Sequence, residues 1–290
     1  MKPNVRVAAP RLQSHPARTA ANLEAIRGQA REAAARGAEL VVFPELSMTG
    51  FLPNHPVGDH AEWLKAALEG AWQTAEPLEG TAVRALAEIS REAGVFLAAG
   101  LLENAGNLLF NTFVLAGEGR VYGHWRKMHI PLFEMQIYNG GGVPQVVDTP
   151  LGRVGANICF DALFPESTRL LAVQQCEIAL VPFAADPPPG TAQAWSAWAR
   201  PVVQARCAEN GLFAVASNYA GQVEFAGATQ AFPGGALVVG PDGAVLAEEY
   251  DGALLVDLPA ERLTRARAAF EYTFRLRRPE LYGLLHEPVG

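Results

Sequence analysis

A chain of 290 residues, half of them hydrophobic, can bury a sizeable core without disulfides or metals as staples. Its formal charge of -7 leaves no excess of Lys and Arg to neutralise phosphates, which argues against a nucleic-acid partner. Three scattered cysteines, an odd number, speak against a disulfide framework and fit a reducing compartment. The start, MKPNVRVAAPRL, lacks the apolar stretch of a signal peptide, and no apolar run approaches bilayer-spanning length. A soluble, cytoplasmic protein with no membrane contact is expected.

Short aliphatic runs alternate with Ala- and Arg-rich segments along the chain. Val5 to Ala9 reads as a strand; from Pro16 to Arg36, Leu23, Ile26, Ala30 and Ala33 recur at helical spacing until Gly37 stops the helix. Glu39 to Phe43 is short, apolar and β-branched, as a strand buried on both faces should be. A helix over Thr81 to Ala93 and a strand over Val95 to Leu101 follow. Leu108 to Leu115 and Arg120 to Trp125 read as a hairpin turning at Gly117 and Gly119. Strands at Val154–Ile158 and Ile178–Phe183 flank a helix from Pro165 to Gln174, and a long helix is expected from Thr191 to Asn210. The tail returns to strands at Leu212–Ser217, Ala236–Val239, Ala244–Ala247 and Leu254–Leu258. No linker, charge block or repeat divides the chain. The expectation is one α/β layered domain over residues 1–290.

Three segments hold polar residues where core patterning alone would not put them. In VVFPELSMTGF, Glu45 lies just beyond a buried strand, where the ligand and catalytic groups of α/β sheets gather; a solvated carboxylate or helix cap is the plainer reading. In WRKMHIPLFE, Lys127 ends a strand among apolar neighbours, as a snorkelling surface lysine also would. In VGANICFDALFPE, a strand runs into Cys159 and a helix starts at Pro165, a strand-to-helix turn of the kind that favours thiolate. Cys159 by itself reads equally as a nucleophile or as a buried small side chain, and Cys176 and Cys207 read as the latter.

Taken together, FPELSMTGF, RKMHIP and ICFDALFPE resemble the nitrilase superfamily of carbon–nitrogen hydrolases, whose members carry a Glu, a Lys and a Cys in this order. Weaker echoes are Asn111, the ARCAEN run ending at Asn210, Pro241-Asp-Gly243 and Arg278-Pro-Glu-Leu-Tyr282. The resemblance implies a four-layer α-β-β-α sandwich. It implies Cys159 as nucleophile, Glu45 as general base, and Lys127 with the Phe160 N–H as oxyanion hole. Glu134 matches a second family glutamate that positions the lysine or the substrate's amino group. His129, so near Lys127, reads as structural, since the lysine already supplies the positive group. The resemblance also implies a homodimer or larger assembly, with the tail from about residue 270 to 290 at the interface.

Cys159-Phe160-Asp161 stands where nitrile-cleaving members have Cys-Trp-Glu, which points to amides. Many relatives acting on carboxylate-bearing or N-carbamoyl substrates place an arginine where this chain has Leu163, so a bidentate carboxylate clamp is missing. Phe51, Phe133, Phe160, Leu163 and Trp195 are the expected walls of an apolar pocket for a small neutral amide. Rival readings are an N-carbamoyl amine or amino acid as substrate, and a catalytically idle scaffold member, against which all three motif contexts speak. Neither a G-x-G-x-x-G after the first strand nor a P-loop occurs, and no metal-ligand spacing is present. No cofactor and no metal are expected.

Overall fold

The computed structural model describes residues 1–53 and 60–287. Strand β1 (Asn4–Ala9) leads through helix α1 (Thr19–Ala35) to β2 (Leu40–Val42). Helices α2 (His60–Thr74) and α3 (Thr81–Ala93) precede a meander of β3 (Phe96–Asn104), β4 (Leu109–Gly117) and β5 (Arg120–Arg126). Next come β6 (Val147–Thr149), β7 (Gly152–Ala156), α4 (Pro165–Val173), β8 (Ile178–Phe183), α5 (Ala192–Asn210) and β9 (Phe213–Asn218). A hairpin of β10 (Ala220–Phe225) and β11 (Ala228–Pro233) is followed by β12 (Ala236–Val239), β13 (Val245–Glu249), β14 (Leu254–Pro259) and α6 (Ala260–Ala268).

Two six-stranded sheets result, ordered β14-β1-β2-β3-β4-β5 and β13-β12-β9-β8-β7-β6. Each has a parallel centre, β1-β2-β3 in one and β7-β8-β9 in the other, flanked by antiparallel strands. Side-chain alternation explains why the sheets stack. Leu40 and Val42 of β2 face the second sheet, and Val41 faces α1 and α3. In β1, Val5, Val7 and Ala9 likewise join the core between the sheets, while Ala8 turns to the helices. The second sheet is covered by α4 and α5, through Leu171, Val203 and Cys207. Each such aliphatic side chain removed from water contributes about 1.5–3 kcal/mol. The layers are therefore α-β-β-α, as the motifs implied.

Most expected elements fall within a few residues of their places, and α3, β8 and β12 coincide with them. The β4–β5 turn has Glu118 and Gly119 both at positive φ, the geometry of a two-residue hairpin. Not anticipated were α2, β6, α6 and the β10–β11 hairpin. Among the described residues no helix is long and apolar enough to cross a membrane.

Candidate active site

Beyond β2 the chain turns sharply, and the turn is fastened to β3. Phe43 N–H donates to Ala98 O (2.8 Å), Met48 N–H to Gly100 O (2.8 Å), and Gly100 N–H to Ser47 Oγ (3.0 Å). Leu46 sits at φ 51°, and Gly100 lies flush beneath it: a Cβ there would come within 2.0 Å of Leu46 N. This clamp holds Glu45, 1% exposed, facing the carboxyl end of the sheet. Glu45 Oε1 accepts from Asn111 Nδ2 at 2.6 Å and from Lys127 Nζ at 2.8 Å. The other oxygen, Oε2, is buried with no hydrogen-bond partner among the described residues.

Lys127 follows β5 and stays in register with the sheet, its N–H donating to Asn111 O (2.8 Å) and its carbonyl accepting from Gly141 N–H (2.7 Å). It is wholly buried, and Nζ also donates to Glu134 Oε2 at 2.9 Å. Burial by itself drives a lysine toward neutrality. The two carboxylates, Glu134 and Glu45, overcome that and hold Lys127 well above its ordinary pKa. The cation between them is therefore permanent at any physiological pH.

β7 delivers Cys159 from the second sheet. A 3-10 turn, Cys159–Leu163, starts at the cysteine, whose φ of 50° is a sparsely populated conformation for a residue with a Cβ. Helix α4 begins at Pro165, where it was expected, but the thiolate expected of this turn is not favoured. Burial pushes the Cys159 thiol well above its ordinary pKa, Glu45 and Glu134 add to that, and Lys127 and the Ala184 backbone oppose it too weakly. The resting thiol is protonated. Cys176 and Cys207 are fully buried in the core with their thiols also pushed up by burial, as befits structural cysteines.

Asp161, 1% exposed, accepts N–H groups from Met128 (3.2 Å), His129 (2.8 Å) and Ile158 (3.1 Å). His129 Nδ1 lies 2.9 Å from Asp161 Oδ1, and its ring stacks on Phe164 with centroids 3.9 Å apart, the structural place expected for it. Arg206 of α5 grips the end of the same turn, donating to Ala162 O and Leu163 O at 3.0 Å each.

Small-molecule sites usually span about 300–1,000 Å³, and the cavity opening onto Cys159 and Glu134 holds ≈ 630 Å³. Phe133, Phe160 and Leu163 line it with Trp198, and the Ala184–Pro188 segment forms the opposite wall. That wall is pinned by Asn218, which exchanges hydrogen bonds of 2.9 Å with both Ala185 N and Ala185 O. Two expected wall residues lie elsewhere. Phe51 is buried against Tyr219 and Phe232. Trp195 is buried against Phe183 and covers Gly235, where a Cβ would strike its ring at 2.7 Å. Trp198, one turn along α5 and about 60° round it, reaches the cavity instead. Sequence reasoning also passed over Asn111 as more than an echo, and over Asp161 as more than a substrate discriminator. A carboxylate inside the apolar run ICFDALF was the available signal for Asp161; nothing in sequence separates Trp198 from Trp195.

Comparison with known proteins agrees with this arrangement. Residues 6–268 match the family described as Carbon-nitrogen hydrolase. A nitrilase of Pyrococcus abyssi is 30% identical over 258 residues, covering 87% of this chain and 89% of the relative. An N-carbamoylputrescine amidase of Arabidopsis thaliana is 27% identical over 280 residues, covering 91% and 89%. Among solved structures, a mutant amidase from Nesterenkonia sp. AN1 superposes with a TM-score of 0.73 at 26% identity over 97% of each chain. It carries the acetamide moiety of fluoroacetamide added covalently at its active-site cysteine. With the fold, the buried Glu–Lys–Glu array and the cysteine turn in place, the chain belongs to the carbon–nitrogen hydrolases of the nitrilase superfamily and is an enzyme of the amidase type.

Proposed function

We propose that the protein hydrolyses the C–N bond of a small neutral primary amide, with Cys159 as nucleophile, Glu45 as general base and Lys127 as electrostatic stabiliser. The observation that carries this reading is the asymmetry of the Glu45 carboxylate. Oε1 is held by Asn111 and Lys127, so the carboxylate cannot swing, and Oε2 keeps a free lone pair in the same buried array as a protonated thiol. A thiol that stays protonated at rest needs such a base at the moment of attack.

Glu45 Oε2 takes the Cys159 proton as Sγ adds to the amide carbonyl carbon. The oxyanion forms against Lys127 Nζ and the Phe160 N–H, a donor pair of the kind worth about 3–4 kcal/mol of barrier per donor. Glu45 then passes the proton to nitrogen, the C–N bond breaks, and ammonia leaves a thioester on Cys159. Water attacks the thioester, Glu45 accepts its proton, and the acid departs as the thiol reforms. Glu134 keeps Lys127 aimed between the two carboxylates throughout. The apolar walls Phe133, Phe160, Leu163 and Trp198 suit an uncharged acyl group.

An assembly is part of the same reading. Phe270, Leu276, Leu284 and Leu285 in the tail are exposed (Phe270 at 95%), which supports burial of residues 270–290 against a second copy. Sedimentation of the full chain against one lacking residues 270–290 tests it, and a monomer in both cases would refute it.

The enzymatic test is ammonia release from aliphatic and aromatic amides, N-carbamoyl amines, N-carbamoyl amino acids and nitriles, with Cys159→Ala and Lys127→Ala alongside. Neutral amides turned over by the wild type alone are the expected result. Turnover confined to N-carbamoyl compounds would move the substrate assignment and keep the mechanism. Activity surviving Cys159→Ala would end the mechanism.

A further inference from the structure

We infer that Asp161 is a positioning residue that sets the span between Lys127 and Cys159, an inference that rests on the proposed roles of those two residues. The need for it arises from the topology. Lys127 leaves β5 of the first sheet and Cys159 leaves β7 of the second, and among the described residues no backbone ladder joins the two sheets. Side-chain packing between sheets tolerates small slides; a reacting thiol and its oxyanion partner do not.

The Asp161 carboxylate supplies the missing tie. Its Oδ1 accepts from His129 N–H (2.8 Å), and both oxygens lie 3.2 Å from Met128 N–H, the groups that immediately follow Lys127. Its Oδ2 accepts from Ile158 N–H (3.1 Å), the group immediately before Cys159. One charged side chain is thus bonded one residue from each reactive group. Charge-assisted bonds to three backbone N–H groups also fix its direction. Behind it, Arg206 holds the Ala162 and Leu163 carbonyls, and the His129 ring is stacked on Phe164, so slack in this unit would have to appear at Cys159.

A direct chemical role does not fit. Asp161 is 1% exposed, both of its oxygens are engaged, and it is not among the residues lining the cavity. The pattern also explains why a carboxylate is required. Every backbone group facing it donates, so the NH2 of an asparagine would be set against a donor whichever way it turned.

Asp161→Asn is the test, measured on the best amide as kcat per Cys159 titrated with iodoacetamide, with KM and thermal midpoint. Displacement of the two groups by about 1 Å predicts kcat per titrated site lower by ~100-fold and KM within ~3-fold. Glu177→Gln, which removes a carboxylate at the far end of β7 bonded to the N-terminal amine and Arg153 N–H, serves as the control for loss of stability alone. It should leave kcat per site unchanged. A value for Asp161→Asn within ~3-fold of wild type, or a loss lying wholly in KM, would overturn the inference. Should Asp161→Asn fail to accumulate, His129→Phe keeps the Phe164 stack and the backbone donor while removing the ring contact. A kcat lower by ~3- to 10-fold is then expected, and an unchanged kcat overturns the inference. Cys159→Ala on the same substrate separates the two levels: if it retains turnover the triad itself falls, and Asp161 with it.

Discussion

Gly100→Ala would strike the site from beneath without touching a reactive group. Gly100 sits in the interior of β3 at an ordinary negative φ, so its conformation does not demand glycine; the closeness of another backbone does. A methyl group built there lies 2.0 Å from Leu46 N, 2.7 Å from Leu46 Cα and 2.8 Å from Glu45 C, all of them main-chain atoms that cannot rotate aside. Relief requires the Glu45 turn to rise by about 1 Å or more, and overpacking of this sort costs about 1–3 kcal/mol. For a chain of this size that is a fall in Tm of roughly 2–5 °C. The same displacement lifts the proposed base away from the thiol, so kcat should drop by about 100-fold with KM little changed. Steady-state kinetics on the best amide and thermal unfolding followed by circular dichroism read both effects. Gly28→Ala, in the middle of α1 with nothing within 4 Å of the added carbon, is the matched control and should gain about 0.5–1 kcal/mol. A Gly100→Ala protein with wild-type Tm would refute the packing argument. A lowered Tm with wild-type kcat would refute the link from the turn to the chemistry.

Lys127→Met strands the Glu45 and Glu134 carboxylates in a dry site, and a loss of about 3–5 kcal/mol in urea unfolding at pH 7 is expected. Asn111→Ala removes the 2.6 Å bond to Glu45 Oε1 and should lower kcat by about 10-fold as the carboxylate gains freedom, with Tm nearly retained. Alkaline stability follows from the buried thiols. Burial raises Cys176 from the ordinary 9.0 to about 12 in the folded protein, so its contribution is full below pH 9 and is lost as pH rises toward 12. Urea midpoints at pH 8, 9 and 10 should therefore fall more steeply for wild type than for Cys176→Ala, by about 1.4 kcal/mol per pH unit once the unfolded thiol ionises. Trp198→Ala opens the apolar wall and should raise KM for aromatic amides about 10-fold relative to acetamide. Equal changes for both substrates would take Trp198 out of the pocket.

What could be read from the chain alone follows from how strongly local chemistry constrains each part. Leu40 to Val42 and Ile178 to Phe183 are fully buried strands, and their aliphatic, β-branched runs leave little alternative. Glu45, Lys127 and Cys159 stood out because a polar residue at such a strand end breaks the apolar pattern. α2 was missed although Trp63, Ala67, Ala71 and Thr74 lie on one buried face, because Gly70 and polar neighbours weaken its periodicity. Gly70 is there for Phe225, whose ring fills the space of a Cβ, and that partner is 155 residues away. The β10–β11 hairpin turns at Ala226 and Gly227, both at positive φ, and an alanine in that position gives no turn signal. The Trp195 error has the same origin. A helix with tryptophans three residues apart announces an apolar face, and the ring that ends up buried is the one that lies over Gly235.

The division of the site between two sheets has a consequence for how the protein fails. Glu45 and Lys127 follow strands of the first sheet and Cys159 follows a strand of the second, and the two sheets face each other largely through apolar side chains, with Asp161 the polar tie beside the site. Catalytic competence is thus a gauge of sheet separation. A partly loosened state that keeps its strands and helices but lets the sheets drift would be silent in an amide assay while looking native by backbone circular dichroism. Damage to the apolar seam far from Cys159 would register first as lost turnover, so a screen for activity in this protein also screens for the integrity of its core.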